Sequence, residues 1–265
     1  MIPKTIHYCW FGNKPKPELI KHCIQSWNRY LSGYEIIEWN ESNFDLDINL
    51  YVKDAYINKK WAFVSDYVRA YVLYHQGGIY LDTDVEVKQR LDTFLTHGAF
   101  SGFERIGFPF TALWGSEKEH IWPKKVLEYY DKKQNFEQVT NTLIVAQILI
   151  EEFKVNPNKD ELQELDCNIA IYPSTHFCID LSSNFASHHF LGSWDDDETS
   201  YKSNIHKIYY LKKYLKEIEG QKVLEQLFQN EIFSAKELFE FSLKIFKKRI
   251  NQKYNRLFRK KRECI

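Results

Sequence analysis

The stretch that most limits the fold runs from Trp61 to Val87, "WAFVSDYVRAYVLYHQGGIYLDTDVEV". Ala62, Val68, Val72 and Leu73 recur on one side at helical spacing, and the Gly77-Gly78 pair ends that period. "IYLDTDVEV" then reads as strand, acidic turn and strand. On the helix, Asp66 and Arg69 are three apart and share a face. On the strand, Asp82 and Asp84 are one residue apart and point the same way, so they repel unless something positive stands between them. A divalent cation fits that demand. Mg²⁺ or Mn²⁺ favours carboxylate oxygens and leaves positions open for substrate phosphates. Asp-x-Asp alone is also common in turns, and Asp66–Arg69 alone reads as a local ion pair worth a few tenths of a kcal/mol.

Around this stretch, "KTIHYCWF" predicts an opening buried strand, residues 18–30 a helix, "YEIIEW" a strand, and residues 51–75 mostly helix. "GAFSGFE" predicts a strand, followed by helices near 118–132 and 141–153. "CNIAIYP" and "SNFASHHFLGSW" read as short strands or loops, and "DDDETSYKSN" as a polar linker. Strands mixed with helices up to about residue 200, then helical pattern only, predict an α/β layered domain with a helical C-terminal extension. The expected division is 1–205 and 206–265.

The 265 residues suffice for one large domain with an appendage. The formal net charge is zero, so no bulk field favours nucleic acid. The five cysteines show neither CxxC pairing nor zinc-like spacing, which predicts reduced thiols in a cytoplasmic protein. The N-terminus lacks a signal-peptide pattern, and no apolar run has the length of a membrane span. The zero charge conceals an asymmetry: residues 244–262 hold ten Lys or Arg and no acid, leaving 26 basic against 36 acidic residues elsewhere. Ile245, Phe246, Ile250, Tyr254, Leu257 and Phe258 form an apolar stripe beside those cations. Such a helix suits either an anionic membrane surface, about 1 kcal/mol per cation near it, or simple packing at a chain end.

"IPKTIHYCWFG", Ser26-Trp27, "SDYVRAYVLYHQGGIYLDTDVEV" and "HHFLGSW" together resemble the sugar transferases containing the DXD motif, glycosyltransferase family 32. Their relatives include capsule and lipopolysaccharide transferases and, more distantly, the glucosylating clostridial toxins. The resemblance implies a GT-A type nucleotide-sugar-binding (Rossmann-like) domain with a mixed central sheet. It also implies Mn²⁺ or Mg²⁺ and a retaining mechanism giving an α-linked product. The implied donor is a nucleotide sugar, a UDP-sugar first and GDP-mannose second. The implied acceptor is a glycan or lipid-linked oligosaccharide of a surface polysaccharide, reached by an enzyme at the inner face of the plasma membrane.

By the same resemblance, Trp10 stacks near the nucleotide base, Asp66 and Arg69 hold the donor sugar, and Tyr80 lines the nucleotide. Asp84 ligates the metal, and Asp82 contacts it or its water. His189, heading a His-x-x-Gly pattern, is a further metal ligand, whereas His188 is not expected to be one. Ser193 and Trp194 reach the diphosphate. Asn141 is a donor contact, although "VTNTLIVAQ" departs from the Thr-Gly-Pro turn of many members. Two rivals stand beside this reading. A haloacid-dehalogenase-type phosphatase also uses strand then Asp-x-Asp, but it expects Thr or Val where this chain has Glu86 and places its motif nearer the chain start. A non-catalytic nucleotide-sugar-binding module is the other.

Overall fold

A computed structural model describes residues 1–105 and 107–191, together with 234, 236, 237, 239, 240 and 243. The chain divides into two compact units, Met1–Ile205 and His206–Ile265. In the second, Ser234 and Glu237 exchange hydrogen bonds in a capping box, and 236, 237, 239, 240 and 243 are helical. The polar linker, most of the helical extension and the basic stripe at 244–262 lie outside the described residues.

The first unit opens with β1 (Thr5–Cys9), α1 (Glu18–Tyr30), β2 (Glu35–Trp39), α2 (Leu50–Ile57) and α3 (Trp61–Gln76). Next come β3 (Gly78–Leu81), β4 (Val85–Val87), β5 (Ala99–Arg105), β6 (Phe108–Pro109), β7 (Leu113–Ser116), α4 (Ile121–Asp131) and α5 (Asn141–Phe153). β8 (Gln163–Leu165), β9 (Ile169–Tyr172), α6 (Ser174–Phe177) and β10 (Ala186–His188) complete it. The central sheet has the order β2-β1-β3-β7-β5-β9-β8, with β6 on β5, and β10 pairs separately with β4. Pairings β1–β2, β1–β3 and β5–β9 are parallel, while β7 runs antiparallel between β3 and β5. This is the α/β class with a mixed sheet that the sequence predicts.

Alternation along the strands builds two cores, one on each face. Tyr80, Phe103, Trp114 and Ile171 meet α3, α4 and α5, whereas Ile79, Leu81, Phe100 and Leu113 meet α1 and α6. The sharp stop at Gly77-Gly78 has a steric cause. Both residues have positive φ, 71° and 113°, and a Cβ on Gly78 would lie 2.6 Å from the Thr5 carbonyl. Helix α3 can therefore feed directly into β3 beside β1. The region 51–75 is two helices rather than one, broken at Lys59 with φ of 57°. β7 is absent from the sequence expectation. Its "LWGS" has no alternation, because Gly115 is there to leave room for the Phe100 ring.

His7 fixes the first turn of this architecture. Its Nε2 donates to the Gly77 carbonyl at 2.8 Å, and its Nδ1 accepts from the Trp39 indole at 3.1 Å. Trp39 only donates and a carbonyl only accepts, so the neutral Nε2–H tautomer is the one that satisfies both. Burial pushes this imidazole down to about 4, against the raising effect of the Gly77 bond. Folded His7 thus resists the proton that the unfolded chain takes up near 6.5, and its contribution is lost as pH falls from 6.5 to 4. The loss amounts to about 3 kcal/mol. Urea unfolding across that window is expected to show a pH slope steeper by about this amount in the native chain than in His7→Gln.

Candidate active site

The site is assembled at the carboxyl-terminal edge of the sheet, where open α/β proteins hold ligands. Arg69 is its centre on one face. From the third turn of α3 its guanidinium meets Asp66 at 2.8 Å and Asp82 at 3.2 Å, and it donates to the Thr111 carbonyl at 3.2 Å. Its Nε donates to Ser65 of the same helix, and the Tyr80 ring lies beneath it at 4.7 Å. Burial works against its charge, but Asp82, Tyr80 and Asp66 hold it protonated. Burial also pushes the Asp66 carboxyl up to about 7, with Arg69 pulling the other way. This is no surface ion pair: the two side chains are 8% and 7% exposed.

Asp84 belongs to the other side. It is buried, its Oδ1 lies 3.3 Å from His188 Nε2, and its Oδ2 accepts from the Leu191 amide at 2.9 Å. Burial alone would raise its carboxyl, but the His188 charge and bond and the Leu191 amide hold it well below the usual range. Donor atoms of Asp82, Asp84 and His188 all lie within 4.8 Å of one another. Two carboxylates and an imidazole suit a divalent cation, Mn²⁺ better than Mg²⁺. Among the described residues His188 Nδ1 is buried without a hydrogen-bond partner, and the ring's polar contact is Nε2 towards Asp84. The residues present therefore fit the metal that the sequence implies.

The histidine in that cluster is not the one expected. β10 pairs antiparallel with β4, His188 opposite Val85, and consecutive residues leave on opposite sides. His188 faces Asp84, whereas His189 Nε2 meets Glu86 at 2.9 Å, with His22 of α1 on the other Glu86 oxygen at 3.5 Å. Tyr80 also differs from expectation. At 1% exposed it presents no surface to a nucleotide; its hydroxyl donates to Asp82 at 3.2 Å. Asn141 is likewise buried behind the site, bonded to the Thr111 hydroxyl and at 3.1 Å to Tyr130. It supports Arg69 through Thr111. Trp10 leaves the end of β1, the strand beside β3, with its indole donating to the Lys14 carbonyl and Lys16 Nζ 5.4 Å above its ring. Ser193 and Trp194 lie outside the described residues.

Sequence reasoning missed the way the Asp82–Asp84 turn is anchored. Trp27 Nε1 donates to the Val85 carbonyl at 2.7 Å, and Ser26 Oγ accepts from the Val87 amide at 2.9 Å. The Ser-Trp of α1 thus grips β4 from behind. Thr111 was also missed. Nothing in "FPFTALW" distinguishes it, because its role comes from β7 lying next to β3.

Residues 17–101 match the family described as "Glycosyltransferase sugar-binding region containing DXD motif". Over those residues the chain is similar to the DXD glycosyltransferases. Two curated relatives from Schizosaccharomyces pombe (strain 972 / ATCC 24843) are similar. One is Inositol phosphoceramide mannosyltransferase 2, 39% identical over 36% of this chain and 28% of its own length. The other is Inositol phosphoceramide mannosyltransferase 1, 27% identical over 40% of this chain and 36% of its own. The chain spans about a third of the length of these relatives. Among solved structures, PaToxG Glycosyltransferase superposes with a TM-score of 0.44 at 18% identity, over 57% of this chain and 70% of that one. The matched residues include Ser26-Trp27, Asp66, Arg69, Asp82 and Asp84, so the matched stretch holds most of the network described above.

The geometry separates the two histidines by experiment. Mn²⁺ affinity, measured by calorimetry or by electron paramagnetic resonance, is expected to fall at least about tenfold in His188→Gln. In His189→Gln it is expected to stay within about twofold of the native value.

Proposed function

We propose that this chain is a metal-dependent, retaining glycosyltransferase that moves a hexose from a nucleotide-diphosphate sugar to a glycan hydroxyl. The observation that carries the reading is the Asp82–Asp84–His188 cluster standing beside Asp66 and Arg69, with the four Asp and Arg residues inside the matched stretch 17–101 and His188 brought to them by β10. Mn²⁺ or Mg²⁺ held by Asp82, Asp84 and His188 would supply charge neutralisation to the diphosphate. Asp66 spends one oxygen on Arg69, and its carboxyl is the acceptor for a donor-sugar hydroxyl. Arg69 is fixed on several sides, so it serves as a preset positive surface rather than a moving group.

Retention follows from front-face attack. The acceptor oxygen bonds to the anomeric carbon as the bond from that carbon to the diphosphate oxygen breaks, and the acceptor's proton goes to the departing diphosphate. No protein nucleophile takes part, and an α-linked nucleotide sugar gives an α-linked product. Ser193 and Trp194 are the proposed contacts of the leaving diphosphate, and Trp10 the proposed partner of the base. UDP-sugars and GDP-mannose are both carried forward as donors, and the mannosyltransferase names of the relatives favour mannose. The proposed acceptor is a surface glycan, of capsule or lipopolysaccharide type or linked to a lipid. The phosphatase alternative needs Asp82 as a free nucleophile, whereas Arg69 and Tyr80 hold both its oxygens.

A panel of nucleotide sugars read by nucleoside-diphosphate release with Mn²⁺ tests this directly. One donor is expected to be turned over, with kcat/KM at least about 100-fold lower in Asp84→Asn. Phosphate release from a simple phosphomonoester without any nucleoside-diphosphate release would favour the phosphatase instead. The proposed membrane contact of residues 244–262 is tested by flotation with anionic liposomes. A chain ending at Ser242 is expected to stay with the soluble fraction while the full chain floats.

A further inference from the structure

Tyr130 stands at the far end of a hydrogen-bond chain that begins at Arg69. Arg69 Nη1 donates to both oxygens of Thr111, to the carbonyl at 3.2 Å and to Oγ1 at 3.4 Å. Thr111 Oγ1 donates to Asn141 Oδ1, and Asn141 Nδ2 donates to the Tyr130 hydroxyl oxygen at 3.1 Å. All four side chains are buried. They come from four places in the chain: α3, the segment between β6 and β7, the first residue of α5, and the last turn of α4. The Tyr130 ring is itself clamped, its centroid 4.7 Å from that of Tyr51 on α2 and 6.2 Å from that of Tyr67 on α3. Helix α3 carries both Tyr67 and Arg69, so one helix supports the two ends of the chain.

The chain has a direction. Every link donates away from the guanidinium, so a lone pair of Thr111 Oγ1 faces the cation and its hydrogen points the other way. Hydrogen bonds aligned in one sense polarise one another, and a charge at the donor end strengthens the first of them. The sense is set by the Asn141 amide, which has one accepting and one donating end. Tyr130 receives the donating end. Without that oxygen the amide is free to turn over and present its NH₂ to Thr111 Oγ1. The Thr111 hydrogen then turns towards Arg69, where hydrogen faces cation. Closing the α4–α5 connection needs the Tyr130–Asn141 bond alone; it does not need the continuation to Thr111 and Arg69.

We propose that Tyr130 is a positioning residue for sugar transfer: its hydroxyl fixes the orientation of Asn141 and, through Thr111, the place of the Arg69 guanidinium beside Asp82. The effect on turnover rests on the glycosyltransferase reading, whereas the effect on Arg69 stands without it. Tyr130 touches no substrate in this role. It acts by keeping Arg69 in one arrangement, so that the positive surface is set before a donor arrives.

Two measurements on the full-length protein test it. The first is hydrogen exchange at the Arg69 side chain, followed by nitrogen-15 NMR without donor. Exchange is expected to be at least about tenfold faster in Tyr130→Phe and in Thr111→Val, and within about twofold of native in Tyr129→Phe, the neighbouring ring. The second is nucleoside-diphosphate release from the nucleotide-sugar panel with Mn²⁺. There kcat is expected to fall at least about tenfold in Tyr130→Phe and in Thr111→Val, with donor KM within about threefold of native. The double variant is expected to be no slower than the slower single one, because both changes cut the same chain. Single effects that multiply in the double variant would overturn the assignment. A lower Tm in Tyr130→Phe with native exchange and native kcat would mark Tyr130 as structural only and overturn it as well. Absence of nucleoside-diphosphate release from every donor in the native chain would instead overturn the glycosyltransferase reading, and Arg69 exchange would still decide whether Tyr130 holds the guanidinium.

Discussion

One buried cation organises this protein. Arg69 is 5% exposed, and its guanidinium joins α3, the end of β3 and the strand entry at Thr111. A buried guanidinium is tolerable only because its donors are matched, and removing one partner of such a group costs about 3–5 kcal/mol. Fold and site therefore depend on the same contacts. Asp82 cannot be placed without Arg69, and Arg69 cannot be buried without Asp66 and Asp82. The Gly77-Gly78 turn supplies the geometry, because it brings the strand back beside the helix that it has just left.

The second aspartate is secured independently. Trp27 and Ser26 hold β4 from α1, and β10 pairs with β4 from the other side, carrying His188 to Asp84 and the Leu191 amide to its second oxygen. Residues far apart in the chain thus converge on a three-residue turn. That explains why the Ser-Trp pair near residue 26 and the His-His pair near residue 188 accompany the acidic motif in one sequence. The first holds its backbone and the second meets its side chain.

The parts of the fold written in local pattern were legible in the sequence: α1 and α5 at their observed bounds, the strand before the acidic turn, and the strand at "GAFSGFE". The Asp66–Arg69 face was legible because helical spacing alone sets its direction, whereas Asp82 and Asp84 were legible only as a motif: they stand in the turn between β3 and β4, where strand alternation does not set which way they point. What was not legible depends on pairing between distant strands. Choosing His188 over His189 requires the register of β10 on β4. Burying Tyr80 requires knowing that α3 covers that face of β3. Thr111 becomes noticeable only once β7 is in place, since it is a single polar residue within an apolar run.

The charges also explain how two aspartates can stand side by side. Asp82 and Asp84 share an edge but not their partners: Arg69 and Tyr80 hold the first, His188 and Leu191 the second. Each carboxylate is neutralised or solvated from its own side, so their mutual repulsion does not have to be borne by the fold. The cost of assembling the pair is met during folding. A cation bound there would meet ligands already oriented, and its binding would lose little to reorganisation. The same division gives the edge two distinct flanks, an arginine side under α3 and a histidine side beside β10.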